Sequence, residues 1–305
     1  MAGNVVYQST VASNLKEVLD VIVGDKTDGL EDGLVMPKYF DVGTMKDAYV
    51  DDLEVGGTGL ASEKPEGSEL SLGQLREGAK TRYLARTYGQ KMIVSEEAKE
   101  DYKYPEVLKL AQRLKRAVYK TVEYDAATVP ARGWNTSYVG GDQVCLFSAS
   151  HTLPGGGTFS NTMATPMTPS VQAVIVARAS ALKLPGHDGL IDGYDLKKVA
   201  FPTEQWGVWD GIVGSEKRPD AGNFAEVNVV YKMNIEPVPI KYWTNTTTNF
   251  FFITDAEDGL KWKWRRKPRS KTWVDNDQEV EKFGISARWS RLWSDPRGVY
   301  GVQAS

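Results

Sequence analysis

The 305-residue chain contains a single cysteine, Cys145, and only two histidines, His151 and His187. One cysteine excludes an internal disulfide and any zinc site built from several thiolates. It also fits a reducing compartment. Long hydrophobic runs are missing too: no stretch approaches the roughly 20 apolar residues that cross a bilayer, so no membrane partner is expected. The start, "MAGNVVYQSTVASNLKEVLD", lacks a basic segment followed by an apolar core, and no secretion signal is expected. Surplus charge is small. With 37 Lys and Arg against 40 Asp and Glu, the net charge of -3 creates no general field for nucleic acid or an anionic membrane. Any such partner must be met by a local patch.

What is present is an ordinary globular composition, 41% hydrophobic and 25% charged, which argues against a disordered chain. The length allows two lobes or one large mixed domain. One stretch departs from this average. Residues 54–73, "EVGGTGLASEKPEGSELSLG", hold glycines, serines, a proline and little that builds a core. The flanking "MKDAYVDDLEV" and "AKTRYLARTYGQKMIVS" read as strands, so the chain is expected to push out a long hairpin. Glycines at 56, 57, 59, 67 and 73 are expected to let its tip bend.

Elsewhere helices and strands alternate in blocks. The first 35 residues read as an arm with a short apolar turn at Leu15, Val18, Leu19 and Ile22. Ser95 is expected to cap a helix whose first turns carry Glu96, Glu97, Glu100 and Asp101, with Pro105 kinking or restarting it. Its apolar face is Val107, Leu110, Ala111, Leu114, Ala117, Val118, Thr121 and Val122. Lys115, Arg116 and Lys120 toward the far end match the helix dipole. A second helix is expected from a Thr168 cap with Pro169 at its first position, burying Val171, Val174, Ile175 and Leu182 and stopping before Gly186. "KKVAFP" reads as a strand, a short helix begins near Thr203, and the remaining segments "VNVVYKMNIEPVPIKYW", "NFFFITD", "LKWKWRRK" and "VEKFGISARWSRLW" read as strands.

Three clusters are candidates for chemistry. Ser148, Ser150 and His151 in "FSASHTLPGGG" lie close in sequence, but no G-x-S-x-G elbow accompanies them, and a turn bonded to its own backbone is the stronger reading. His187 in "LPGHDGLIDG" reads as part of a solvated turn without the spacing of a calcium loop. "KWKWRRKPR", residues 261–269, carries six basic residues in nine. Interleaved tryptophans allow a nucleic-acid strand. An edge strand with Trp262 and Trp264 packed, and Lys261, Lys263 and Arg265 facing solvent or an acidic neighbour, is the stronger reading. Nothing assembles an enzyme site, and no cofactor or metal is expected.

The C-terminal stretch "FFITDAEDGLKWKWRRKPRSKTWVDNDQEVEKFGISARWSRLWSDPRGVYG" resembles the closing segment of major capsid proteins of tailed bacteriophages, the Mu-like head-subunit type. A strand, a basic "RRKP", an acidic "DNDQE" turn, an aromatic "F-G" and a strand ending at "PRGVYG" follow in the family's order. "GLIDGYDLKKVAFP" with "VGSEKRPDAGNFAEVNVV" resembles its helix–strand–helix lobe. The resemblance runs from about residue 30 to 305. It implies an α+β protein of the Hong Kong 97 type: N-terminal arm 1–45, extended β-hairpin loop 46–94, peripheral domain with spine helix 95–164, α/β axial domain 165–245, and returning strands 246–305. It implies a non-enzymatic subunit of an icosahedral shell around double-stranded DNA, made in the host bacterial cytoplasm and located in the virion. Its partners would be itself in hexamers and pentamers, a separate scaffold, a portal and a decoration protein, and DNA without sequence readout. Expected inter-subunit residues are Gly56, Gly57, Leu60, Lys64, Glu66, Leu70, Arg82, Arg86, Lys261, Lys263 and Arg265. Lys64 has no recognisable partner for the lysine–asparagine cross-link found in some relatives. The readings left beside this one are a hydrolase with its site in the Cys145–His151 loop and a nucleic-acid-binding module using 261–269.

Overall fold

The computed structural model describes residues 33–73, 75–95, 104–218, 226–243 and 249–304. The apolar turn expected at 15–22 and the helix start expected at 96–101 lie outside them. In chain order the strands and helices are β1 (Asp41–Thr44), β2 (Tyr49–Val55), β3 (Glu77–Leu84), β4 (Arg86–Ser95), α1 (Tyr104–Ala131), β5 (His151–Thr152), β6 (Thr158–Phe159), α2 (Val171–Ala181), β7 (Leu196–Pro202), α3 (Trp206–Gly214), β8 (Glu236–Ile240), β9 (Phe250–Thr254), β10 (Leu260–Asp275), β11 (Val280–Trp293) and β12 (Val299–Val302). They divide into two compact units. Ala85–Glu123 and Trp264–Ser290 belong to the first, and Val35–Leu84, Tyr124–Lys263 and Arg291–Ser305 to the second.

In the first unit β4 pairs antiparallel with β11, from Val280 opposite Ser95 to Trp289 opposite Arg86. Alternation along β11 buries Phe283, Ile285, Ala287 and Trp289 on one face. Trp289 stacks on Tyr88 at 4.1 Å and meets Trp264 edge-on at 5.6 Å. Ser95 ends β4, and the residues it was expected to cap lie outside the described ones. Helix α1 has 28 residues and is about 42 Å long. Leu114, Val118 and Val122 form its buried face, whereas Leu110, expected there, is 46% exposed. Leu110 lies about 40° round the helix from Leu114, at the edge of the buried stripe.

The second unit centres on the sheet β12-β9-β7-β8, with β7 parallel to β8 and antiparallel to β9. Its core packs Val171, Val174, Ala177, Phe201, Trp209, Phe250 and Phe252 together. Trp209 lies 4.7 Å from Phe250 and 5.5 Å from Phe201, and the Gln205 carboxamide accepts from its indole N–H. Helix α2 is capped by Ser170, whose hydroxyl accepts from the Ala173 N–H at 3.1 Å, two residues after the expected cap. Ser170 is extended, as a cap must be, and so leaves Pro169 outside the helix. The buried stripe of α2 runs through Ala173 and Ala177, which leaves Leu182 at 43% exposure. In the expected strand "VNVVYKMNIEPVPIKYW" only Glu236–Ile240 forms a strand, and Val227 makes an isolated bridge with Lys217. Tyr231–Met233 forms a short 3-10 turn closed by left-handed Asn234.

Candidate assembly surface

The β2–β3 ribbon sets Tyr49 opposite Leu84, Asp51 opposite Arg82 and Leu53 opposite Lys80. Alternation turns these side chains to one face. Tyr49, Leu53, Val55 and Leu84 on it are all exposed. Arg82 grips both Asp51 carboxylate oxygens, at 2.6 and 2.8 Å, and lies 4.6 Å over the Tyr49 ring. With Lys80 also 2.8 Å away, these hydrogen bonds hold Asp51 well below the usual carboxylate range.

The other face is tied to the body of the same unit. Asp52 takes hydrogen bonds from Ser294 Oγ at 2.7 Å, Lys261 Nζ at 3.1 Å and Lys263 Nζ at 3.4 Å. Burial pushes its carboxyl up, and the bonds from Ser294 and Lys261 more than reverse this. Lys263 Nζ also sits 4.1 Å over the buried Tyr83 ring. Two residues along, Glu54 Oε1 meets His187 Nδ1 at 2.9 Å and Arg297 Nη1 at 3.0 Å. Arg297 is fully buried, donates to the Pro185 carbonyl at 2.7 Å, pairs with Asp295 at 3.0 Å and lies over the Phe159 ring. Burial opposes ionisation of Glu54, but hydrogen bonds from His187 and Arg297 bring its carboxyl below the ordinary value. The Glu54 bond raises His187 in turn. His187 is thus a bridge between Glu54 and Asp295, where a solvated turn was expected.

Beyond this clamp the chain leaves the ladder. Gly56 N–H donates to the Arg76 carbonyl at 2.7 Å, and Arg76 donates to Gly155 O at 2.9 Å. A Cβ on Gly57 would fall 2.7 Å from the Asp188 side chain, so this glycine permits close packing at the loop base rather than bending. Gly59 and Gly67 do adopt the left-handed backbone, with φ of 76° and 79°. Across Gly67 the loop bonds to itself, Ser62 Oγ donating to Ser71 Oγ at 2.7 Å. Leu60, Leu70, Leu72 and Leu75 are 83%, 79%, 90% and 70% exposed.

The expected contact residues therefore separate into two groups. Leu60, Lys64, Glu66, Leu70, Arg86 and Arg265 are exposed. Gly56 is buried, while Lys261 and Lys263 are spent on Asp52 of their own chain. Arg82 is exposed but held by Asp51. The Glu54–His187–Arg297 cluster escaped the sequence reading, although alternating acids in "DDLEV" are an available signal for it.

The Cys145–His151 loop is built as structure. His151 is fully buried, with Nδ1 2.6 Å from Asp142 and Nε2 facing the Leu146 carbonyl and Asn161 Oδ1. Asn161 donates to Leu146 O and Pro296 O, and its Oδ1 accepts from the Ser148 N–H. Both imidazole nitrogens are thereby occupied, and neither reaches a serine hydroxyl. Ser148 and Ser150 Oγ face each other at 3.3 Å. Burial pushes the Cys145 thiol up, away from a reactive thiolate. No group of residues able to hold a metal occurs among the described residues, and none of their helices is long and apolar enough to cross a membrane.

No family model and no curated protein matches the chain. Solved structures do. The capsid subunit of a native GTA particle is 13% identical, with 89% of this chain and 90% of that one covered at a TM-score of 0.54. The cyanophage Pam1 capsid matches at 10% identity, 87% and 88% coverage and a TM-score of 0.54. It has the fold of a phage capsid subunit. A virus-like particle from Pyrococcus furiosus shares this capsid fold at 10% identity, 94% and 98% coverage and a TM-score of 0.53. The α+β class and Hong Kong 97-type fold implied by the resemblance are thus the fold of this chain. The likeness spans nearly the whole of each protein, so both units and the clamped loop belong to one capsid fold.

Proposed function

We propose that the chain is the major capsid protein of a tailed bacteriophage. Copies of it assemble as hexamers and pentamers into an icosahedral head around double-stranded DNA, and it performs no catalysis. A separate scaffold and a portal take part in assembly, and the mature location is the virion. In this reading 46–94 is the extended loop, 95–164 the peripheral domain with its spine helix, and 165–245 the axial domain. The observation that carries it is the loop beyond Gly56. Its base is clamped, yet four leucines on it stand 70–90% exposed. Apolar surface of that extent on a tethered segment fits an intermolecular contact, and the capsid fold supplies the partner: a second copy. Leu60, Leu70 and the exposed face of the ribbon, with Lys64, Glu66, Arg86 and Arg265, then contact the neighbour.

The test compares the full chain with one in which residues 57–75 are replaced by Asn-Gly. That dipeptide closes the Gly56–Arg76 pair with a two-residue turn. The unaltered chain sediments as closed megadalton particles visible by negative stain. The shortened chain keeps its circular dichroism spectrum and fails to form stable particles. Normal shells from the shortened chain, or a monomeric unaltered chain under all assembly conditions, would overturn the proposal.

A further inference from the structure

Between Val107 and Val122 helix α1 contains five basic residues and no acidic one. Four of them, Lys109, Arg113, Arg116 and Lys120, are exposed. Their spacing of four, three and four residues puts them within about 60° of one another, on the side opposite Leu114 and Val118. The stripe is about 16 Å long. The helix dipole does not account for it. Helix α1 continues to Ala131 and has no basic residue in its last turn, so the four lie too far from the C-terminus to compensate it. Intrahelical pairing does not account for it either. Lys109 with Arg113, Arg113 with Arg116, and Arg116 with Lys120 are like-charge neighbours, which destabilise a helix. None of the four forms an ion pair with another residue whose side chain is described.

We infer that this stripe is a contact site for the phosphate backbone of duplex DNA. A line of long cationic side chains neutralises phosphates without reading bases. Specific protein interfaces instead bury an apolar centre depleted of charge, and the stripe has only Gln112 among its four cations. The inference rests on the shell reading for the presence of DNA, but its test does not require a shell.

The full-length subunit, kept below its assembly concentration, is titrated with a random-sequence 30-bp duplex at several salt concentrations. Each neutralised phosphate contributes about -0.9 to the slope of log K against log salt, so four give about -3.6. Affinity then falls about 150-fold between 50 and 200 mM salt. Replacing Lys109, Arg113, Arg116 and Lys120 by Gln brings the slope close to zero while the full-length variant still assembles into empty shells. If that variant fails to fold, Lys109→Gln and Lys120→Gln singly each reduce the slope by about one. A control carrying Arg265→Gln, Arg269→Gln and Lys271→Gln in β10 leaves the slope unchanged. The inference fails if the slope follows the β10 variant instead, or if the helix variants bind DNA as the parent does. It also fails if polyglutamate displaces the duplex at equal charge concentration, which would assign the stripe to an acidic protein segment. Absence of shells from the unaltered chain would count against the proposed function and leave the slope measurement standing.

Discussion

Asp52 and Glu54 show how single carboxylates on one strand hold a projecting ribbon in place. Lys261 is only 12% exposed and Lys263 15%, so their bonds to Asp52 are less screened than those of a surface pair. Replacing both lysines by Ser leaves Asp52 with Ser294 alone, and the subunit loses about 2–3 kcal/mol. Urea unfolding of unassembled subunits reads this directly. A change confined to assembly, with the subunit midpoint unmoved, would contradict the intrachain role. At Glu54 the effect is pH-dependent. The raised His187 contributes stability that is complete below its ordinary value of 6.5 and lost as pH rises through its higher folded value. The lowered Glu54 contributes above its ordinary 4.5 and loses this as pH falls. Asp295, raised by burial, favours low pH, as His187 does. Between about pH 6 and 8 the melting temperature of the subunit should therefore fall, by about 2 °C or less, because His187 is 39% exposed. His187→Gln should flatten that decline while leaving the acid limb governed by Glu54.

At the scale of elements, helix α1 and the ribbon are stabilised in different ways. The helix buries a stripe of Leu114, Val118 and Val122, and Arg291 of β11 donates to the Asp125 carbonyl at 2.9 Å and pairs with its carboxylate at 2.6 Å. Leu114→Ala should cost about 2–5 kcal/mol, and Leu114→Asp should prevent folding by adding a buried unpaired charge. Soluble Leu114→Asp protein with an unchanged unfolding midpoint would contradict the burial. The ribbon has one tethered face and one exposed face. An isolated two-stranded ribbon is marginal in water, so the ties at Asp52 and Glu54 are what keep β2 and β3 ordered up to Gly56.

Across the whole molecule, chain order and compact units part company. β10 enters the second unit at Leu260 and ends in the first at Asp275, and β11 begins in the first and returns to the second. The near-neutral total charge of -3 conceals opposite local surpluses, basic along α1 and along Arg265, Lys267, Arg269 and Lys271, acidic at Glu63, Glu66 and Glu69 of the loop. Such a division leaves local fields of opposite sign without a strong overall one.

Periodicity and composition by themselves determined much of this protein. The alternation in "VEKFGISARWSRLW" marks β11, the three- and four-residue spacing marks α1, and the glycine- and serine-rich 54–73 marks a loop without a core. These are local signals: each depends on residues a few positions apart, and the physics that reads them is local too. The strand expected at 261–269, with Trp262 and Trp264 packed, is β10 for the same reason, but it is no edge: β10 lies between β1 and β11. Tertiary structure decided what local pattern does not carry. Lys261 meets Asp52 across 209 residues and Arg297 meets Glu54 across 243. Whether a basic residue faces a neighbour, DNA or its own chain depends on which distant carboxylate the fold brings within about 3 Å, and sequence spacing holds no record of that. The same holds for Ser170 over Thr168 as the cap of α2, since both carry the hydroxyl and only the backbone at entry chooses between them.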